Sequence, residues 1–177
     1  METLSVARWQ AHCEALYREH AARLVRLGRL LLNDPEEAQE VAQDVFVKAM
    51  EAHRLGAVPM EWAPWLTRVM VNACRDRHRA GWWAWSRRRR SSFEGLELVD
   101  RRQATPEQAA VTSEWRARIW DVFRVLPTRQ REVFALRYIE GCSTAEVARA
   151  LEMSPGSVKR HLFRAVERLR RALGGSR

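Results

Sequence analysis

A cluster of basic side chains near the end of the chain has the residue types that bind DNA phosphates and read base edges. Ser154 and Pro155 come just before it and are typical of the cap and first turn of a helix. Apolar residues recurring at helical spacing predict that helix's buried face, namely Val158, Leu162, Ala165, Val166 and Leu169. The face left exposed carries Lys159, Arg160, His161, Phe163 and Arg164. Such a helix can lie in a major groove, with its first turns against base edges and its later cations against phosphates.

The residues before this helix predict a partner helix and a tight turn. Ser143 or Thr144 can cap the partner helix. Its packing residues are predicted to be Ala145, Val147, Ala148 and Leu151. Together the two helices are typical of a helix-turn-helix that reads DNA. An ordinary helical hairpin with a solvated basic face is the alternative that this segment alone leaves open.

A second candidate DNA-binding face lies on a helix predicted from about Trp62 or Pro64 to Arg79. Its buried stripe is predicted to consist of Leu66, Val69, Met70 and Ala73. The adjacent polar and mostly cationic row consists of Arg68, Asn72, Arg75 and Arg79. Trp62 and Trp65 stand at the start of this row, where aromatic rings can stack on unpaired bases while arginines hold phosphates. Both tryptophans can instead be core anchors.

Charge is unevenly distributed along the chain. The 31 Lys and Arg residues against 22 Asp and Glu give a net charge of +9, which indicates a polyanionic partner. A helix predicted over residues 35–54 is nevertheless acidic, so we expect it to face a protein. Its predicted inward residues are Ala38, Val41, Ala42, Val45, Phe46, Ala49 and Met50. Its predicted outward residues are Glu37, Glu40, Gln43, Asp44 and Lys48, with Val47 partly exposed.

No residue pattern indicates an enzyme, a metal site or a cofactor, since no glycine-rich phosphate loop, ligand cluster or nucleophile-base arrangement is present. Cys13, Cys74 and Cys142 are odd in number and far apart, which indicates reduced thiols. No apolar run has the length of a membrane span, and no secretion signal opens the chain. We therefore expect a cytoplasmic protein with no membrane insertion and no small-molecule substrate.

The helical patterns predict an all-α fold of two small helical domains joined by a flexible linker. The domains are predicted at residues 8–82 and 107–174, and the second ends in the helix-turn-helix. The linker, residues 83–106, contains an arginine run at 87–90 that can be a solvated tether or a phosphate track. Two more helices are predicted, from about Pro106 to Leu126 and from Pro127 to about Ile139.

Three blocks, in this order, resemble the extracytoplasmic-function sigma factors of bacterial RNA polymerase. They are Asp-Pro-Glu-Glu-Ala-Gln-Glu-Val-Ala-Gln-Asp-Val-Phe at residues 34–46, Trp65-Leu66 with Asn72, Asp76 and Arg79, and Leu-Pro-Thr-Arg-Gln-Arg-Glu-Val-Phe-Ala-Leu-Arg-Tyr at residues 126–138. The resemblance implies an alternative sigma factor that directs RNA polymerase to specific promoters and begins DNA melting. It also implies three partners, namely core RNA polymerase, promoter DNA and an anti-sigma factor.

The resemblance assigns a role to each of the three faces. The acidic helix is implied to bind polymerase through Gln43, Asp44 and Phe46, with Glu40 and Val47 beside them. The implied minus-ten residues are Arg68, Asn72 and Asp76, joined by Trp62, Trp65, Arg75 and Arg79 from the same helix. The implied minus-thirty-five residues are Lys159, Arg160, His161, Phe163 and Arg164.

The chain departs from the family pattern in three places. The loop at residues 55–61 is apolar where the family has an aromatic residue followed by Arg-Gly and small polar residues. Glu152 stands where the turn of the helix-turn-helix often has glycine, and His161 where the next helix often has arginine. Two other functions are compatible with the residues, a stand-alone dimeric helix-turn-helix regulator and a sigma-like decoy that sequesters an anti-sigma factor. A decoy has no need of Lys159 and Arg164.

Overall fold

The computed structural model describes residues 2–57, 59–85 and 118–174, which form helices and short connections with no β-strand among them. The all-α prediction is confirmed for this part of the chain. The chain separates into two compact units, Met1–Ser91 and Ser92–Arg177.

The first unit contains three helices, α1 (Glu2–Leu32), α2 (Pro35–Arg54) and α3 (Trp62–Trp85). The predicted break between α1 and α2 is confirmed, because Asn33 takes a positive φ of 62° there. The Asp34 carboxylate caps α2 by accepting hydrogen bonds from the backbone N–H groups of Glu36 at 2.9 Å and Glu37 at 3.0 Å. α3 continues past its predicted end at Arg79.

Most residues predicted to be buried in the first unit are buried where the three helices pack together. A few of them are more exposed than predicted. The predicted inward face of α2 is buried except for Met50, which is 41% exposed. On α3, Val69 and Ala73 are only half-buried, whereas Val71 and Cys74 are fully buried. The predicted stripe was therefore displaced around the helix. The reason is that α3 packs against both α1 and α2, so the positions of these two neighbours decide which residues of α3 are buried.

Gly28 lies where α1 comes closest to its two neighbours. A Cβ atom at this position would meet the Cε of Met70 and would lie 3.0 Å from the Cβ of Ala38. Both neighbours are fully buried, so neither can move into solvent. Overpacking against two buried neighbours should cost about 2–3 kcal/mol, whereas alanine gains roughly 1 kcal/mol in helix propensity. We therefore predict that Gly28→Ala lowers the free energy of unfolding of the first unit by about 1–2 kcal/mol.

Urea unfolding of the full chain, followed by circular dichroism, measures this change. Gly156→Ala is the matched control, because Gly156 is also helical but its Cβ would meet only the Ser154 hydroxyl, at 3.9 Å. The control should leave stability unchanged or raise it by up to about 1 kcal/mol. A Gly28→Ala protein as stable as the parent would contradict the close approach of the helices.

The second unit contains α4 (residues 118–124), α5 (Thr128–Phe134), α6 (Thr144–Leu151) and α7 (Pro155–Gly174). A π-helical turn, Ala135–Ile139, continues α5, so the helix predicted to end near Ile139 is confirmed. The predicted cap of α7 is also confirmed, since the Ser154 hydroxyl accepts from the Ser157 N–H at 3.2 Å. Ala145, predicted to pack inward on α6, is exposed.

The turn between α6 and α7 keeps its sharp geometry without glycine. Glu152 takes the left-handed conformation, with φ 53° and ψ 50°. That conformation costs a residue with a Cβ roughly 1–2 kcal/mol. The turn is closed by a backbone hydrogen bond of 3.0 Å from the Met153 N–H to the Ala148 carbonyl. The departure at Glu152 therefore leaves the helix-turn-helix geometry in place.

Residues 86–117 lie outside the described part of the chain. They include the arginine run at 87–90, most of the predicted linker at 83–106 and the first part of the helix predicted from Pro106. The side chains of Trp82, Trp83 and Trp85 are also outside it. The domain bounds 8–82 and 107–174 stay predictions.

Candidate functional site

α7 presents most of the predicted basic face to solvent. Lys159, Arg160 and Arg164 are exposed, and Phe163 is 67% exposed. They form one strip, because residues three and four apart are neighbours on a helix surface. His161 is half-buried, and its Nδ1 is buried without a hydrogen-bond partner among the described residues. The prediction that His161 shares the open face is therefore corrected: it lies at the edge of the strip.

α6 fixes the position at which α7 begins. Its first turn is closed by a reciprocal capping box, in which the Ser143 N–H donates to the Glu146 carboxylate at 2.6 Å and the Glu146 N–H donates to the Ser143 hydroxyl at 3.2 Å. Hydrogen bonding to Ser143 lowers the pKa of the Glu146 carboxyl, because it favours the charged form. Val147 and Leu151 are buried, and α6 packs against α7.

The predicted polar row on α3 is partly pre-ordered by contacts within the helix. Arg68, Asp76 and Arg79 are exposed, whereas Asn72 and Arg75 are half-buried. The Asn72 side-chain oxygen accepts a hydrogen bond from Arg75 at 3.1 Å. Asp76 and Arg79 form an exposed ion pair with an N–O separation of 3.7 Å. The row therefore offers three guanidinium groups and one carboxylate, which is a net positive surface.

Trp62 and Trp65 combine features of the two predicted roles, core anchor and base-stacking ring. Both rings are half-buried, and they meet edge to face with centroids 5.6 Å apart. Each ring is therefore anchored and still partly accessible. In the loop before them, Leu55 is 71% exposed and Met60 is fully exposed, and the chain turns at Gly56 with φ +73°.

The acidic face of α2 is linked to α3 by one arginine. The residues predicted to face outward are exposed, except for Glu37, which is half-buried. Arg77 lies 3.0 Å from the Glu40 carboxylate and 3.7 Å from that of Asp44. Both carboxylates remain largely exposed, so these pairs contribute no more than about 1 kcal/mol each to stability. Their main effect is to orient Glu40 and Asp44. Gln43 and Val47 are also exposed on this helix.

Phe46 does not lie on the open surface. It is only 7% exposed, and its ring packs against that of Tyr17 with centroids 4.9 Å apart. Its predicted inward position is therefore confirmed, and Phe46 does not share the open polymerase-binding face that the resemblance implied for it. The exposed apolar patch here consists instead of Tyr17, Val47 and Met50, at 52%, 48% and 41% exposure.

Within the described residues, no group of three or more His, Cys, Asp or Glu side chains is arranged to hold a metal ion. The helices of that same part of the chain are too short or too polar to cross a membrane. Cys13, Cys74 and Cys142 are not in disulfide bonds, and Cys74 is buried while the other two are half-buried.

Comparison with known families matches each unit separately. Residues 16–84 match the family model described as Sigma-70 region 2, and residues 116–169 match the model described as Sigma-70, region 4. The first match spans the acidic helix and the polar row of α3. The second spans the helix-turn-helix.

Curated relatives match nearly the whole chain. The RNA polymerase sigma-E factor of Streptomyces avermitilis is 34% identical over 168 residues, which cover 92% of this chain and 88% of the relative. The ECF RNA polymerase sigma factor SigM of Mycobacterium tuberculosis is 33% identical over 165 residues, which cover 91% of this chain and 76% of SigM. The chain belongs to the extracytoplasmic-function group of RNA polymerase sigma factors. It is an alternative sigma factor, and its family acts in transcription initiation.

Two solved structures share the fold of this sigma factor. CnrH, solved in complex with the cytosolic domain of CnrY, has a TM-score of 0.67 and 25% identity, and the match covers 95% of this chain and 91% of CnrH. The sigma factor RpoE of Bartonella quintana, solved with the anti-sigma factor NepR, has a TM-score of 0.68 at 19% identity, covering 93% and 98%. The second likeness bears on the fold alone.

The sequence patterns did not identify several residues of this sigma factor that the structure brings to the candidate surfaces. Arg77 and Glu40 are 37 residues apart, so no local spacing relates them. Tyr17 reaches Phe46 only because α1 and α2 pack together.

Proposed function

We propose that the three surfaces divide the work of promoter recognition. The acidic face of α2 docks on core RNA polymerase, the polar row and tryptophans of α3 capture the minus-ten element, and the basic strip of α7 reads the minus-thirty-five element. The observation that supports this most is that the two matched sigma regions fall on units whose exposed faces have the required charge.

The minus-thirty-five contact follows from the geometry of α7. Lys159 and Arg160 lie one turn into the helix, where side chains of a recognition helix reach base edges. Arg164 lies one further turn along and suits a phosphate. Phe163 is an exposed apolar ring between these cations, and His161 contributes at the margin.

The minus-ten contact requires the α3 surface to favour single-stranded DNA. Opening a base step costs on the order of a few kcal/mol in lost stacking. Stacking of one unpaired base on an aromatic side chain returns about 1–3 kcal/mol. Trp62 and Trp65 offer such rings, while Arg68, Arg75 and Arg79 hold the backbone, and Asn72 and Asp76 supply polar groups for base edges.

The polymerase contact is electrostatic at its centre and apolar at its margin. Glu40, Gln43 and Asp44 present the polar part, with Arg77 holding the two carboxylates. Val47 supplies apolar surface, and buried Phe46 supports the helix from beneath. Complementary charge mainly raises the association rate and fixes the orientation of the docked partners.

The proposed partners are core RNA polymerase, promoter DNA and an anti-sigma factor that covers these surfaces when the chain is inactive. All three are macromolecules, so we propose a cytoplasmic, non-enzymatic subunit without a cofactor or small-molecule substrate. CnrH, which is similar to this chain, was solved bound to a protein domain.

The test of this proposal compares promoter binding with and without core polymerase. We predict that the free chain binds a labelled promoter duplex weakly and without sequence preference, because polymerase is needed to hold the two DNA-reading units at the correct separation. Adding core polymerase should produce sequence-specific binding. Nanomolar, specific binding to a palindromic duplex by the chain alone would favour the stand-alone regulator. Core-dependent binding would also exclude the decoy.

A further inference from the structure

Five aromatic and imidazole rings from three helices form a cluster at one end of the first unit. Trp9 and His53 are stacked almost parallel, with centroids 3.8 Å apart and planes 9° apart. The centroid of the His12 ring lies 5.7 Å from that of His53 and 6.0 Å from that of Trp62. Trp62 in turn meets Trp65 edge to face. The rings therefore connect Trp9 on α1, through His53 on α2, to the tryptophans that begin α3.

The position of the cluster is informative, because it spans both ends of the loop at residues 55–61. His53 is in the last turn of α2, and Trp62 is the first residue of α3. In the described part of the loop, the N–H groups of residues 55–57 donate to carbonyls of α2, whereas the side chains of Leu55 and Met60 are exposed. The ring contacts are therefore side-chain contacts that join the last turn of α2 to the first turn of α3 across the loop.

A second set of contacts holds the same end of α3 against α1. Arg23 donates to the Thr67 hydroxyl at 3.0 Å and to the Ala63 carbonyl at 3.3 Å. The Nδ1 of His53 is buried and has no hydrogen-bond partner among the described residues. Stacking on Trp9 thus orients the imidazole. Replacing either flat ring of the Trp9–His53 pair would therefore remove the contact that orients the other ring.

We propose that His53, stacked on Trp9, is a positioning residue for promoter melting, because it holds the loop and Trp62 in the geometry that captures unpaired bases. The inference rests on the proposed minus-ten role of Trp62. It adds a residue from the polymerase-binding helix, and one from α1, to the machinery of strand opening. His53 need not touch DNA, since it acts through His12 and Trp62.

The experiment measures the rate of promoter opening by the reconstituted holoenzyme, as permanganate reactivity of unpaired thymines on a promoter fragment recovered by transcription with the parent protein. His53→Leu keeps apolar volume but removes the flat ring, and His53→Phe keeps the ring. We expect His53→Leu to open the promoter about threefold to tenfold more slowly, the range expected for loss of one aromatic pair. His53→Phe should restore the rate. Core affinity should stay at the parent value for both variants, and the thermal midpoint of His53→Leu should fall by only a few degrees, which leaves the chain folded at the assay temperature.

Trp62→Ala, measured alongside, separates this inference from the proposed function. If Trp62→Ala slows opening and His53→Leu does not, the positioning role is wrong while the role of Trp62 stands. If Trp62→Ala opens at the parent rate, the proposed role of Trp62 fails and the inference fails with it. If His53→Leu does not fold, Trp9→Leu against Trp9→Phe tests the other half of the stack by the same readout. Failure of a phenylalanine variant to restore opening contradicts the proposal.

Discussion

Replacing Asp44 with arginine should lower the affinity of the chain for core RNA polymerase by about tenfold or more, equivalent to about 1.4 kcal/mol of binding free energy. Asp44 is exposed on α2 and lies 3.7 Å from Arg77, so an arginine there places two cations together and reverses the charge offered to polymerase. The lost ion pair is a surface pair, and the free energy of unfolding should fall by no more than about 1 kcal/mol. Titration of labelled chain into core polymerase measures the affinity.

Glu19→Arg is the matched control for this change. Glu19 is an exposed acid on α1, and its carboxylate lies 3.7 Å from the Nε2 of His20. It lies roughly 200° around the helix from Tyr17, away from the patch that adjoins α2. The same change in net charge should therefore leave polymerase affinity near the parent value. Equal loss of affinity in both variants would show that bulk charge, rather than the acidic face of α2, controls docking.

Substitutions on α7 should separate base reading from phosphate binding. Arg164→Ala should weaken holoenzyme binding to minus-thirty-five sequences uniformly and reduce the salt dependence of binding by about one counterion. Lys159→Ala or Arg160→Ala should instead lose about 1–3 kcal/mol on the preferred sequence and relax the preference at single base pairs. The reason is their position early in the helix, where side chains reach base edges. Binding to a panel of single-base variants at several salt concentrations measures both effects.

Arg171→Ala controls for the loss of one positive charge on the same helix. Arg171 is exposed in the last turn of α7, seven residues beyond Arg164 and thus about 10 Å further along the axis. It should have little effect on either the salt dependence or the base preference. If Lys159, Arg160 and Arg164 variants all lose affinity equally on every sequence, α7 contains no base readers.

Local signals allowed the helix-turn-helix to be predicted from sequence in most of its detail. Ser143 and Ser154 are cap residues whose hydrogen bonds reach only to the third residue after them, so the local sequence is enough to predict their role. The outward face of α2 was predicted for the same reason, since a single periodicity decides it. The residue type at position 152 did not predict the turn, because a backbone hydrogen bond holds Glu152 in the conformation that glycine usually supplies.

Contacts between helices could not be predicted in this way. The buried stripe of α3 was misplaced because two neighbours, rather than one, cover that helix. Phe46 was predicted to face inward, but its contact with Tyr17 of another helix was not. The pairing of Arg77 with Asp44 and the stacking of Trp9 on His53 are likewise set by tertiary packing, which single-helix periodicity does not contain.

Transcription from a library of random promoter sequences by core RNA polymerase, with and without this chain, tests the central claim most directly. We predict chain-dependent transcripts whose templates share two upstream motifs at a fixed separation, one for each DNA-reading unit. The Asp44→Arg protein should lose these transcripts, and the Glu19→Arg protein should retain them. If start sites with the chain are the same as those of core polymerase alone, the chain does not direct promoter recognition, and the division of work among its three surfaces is contradicted.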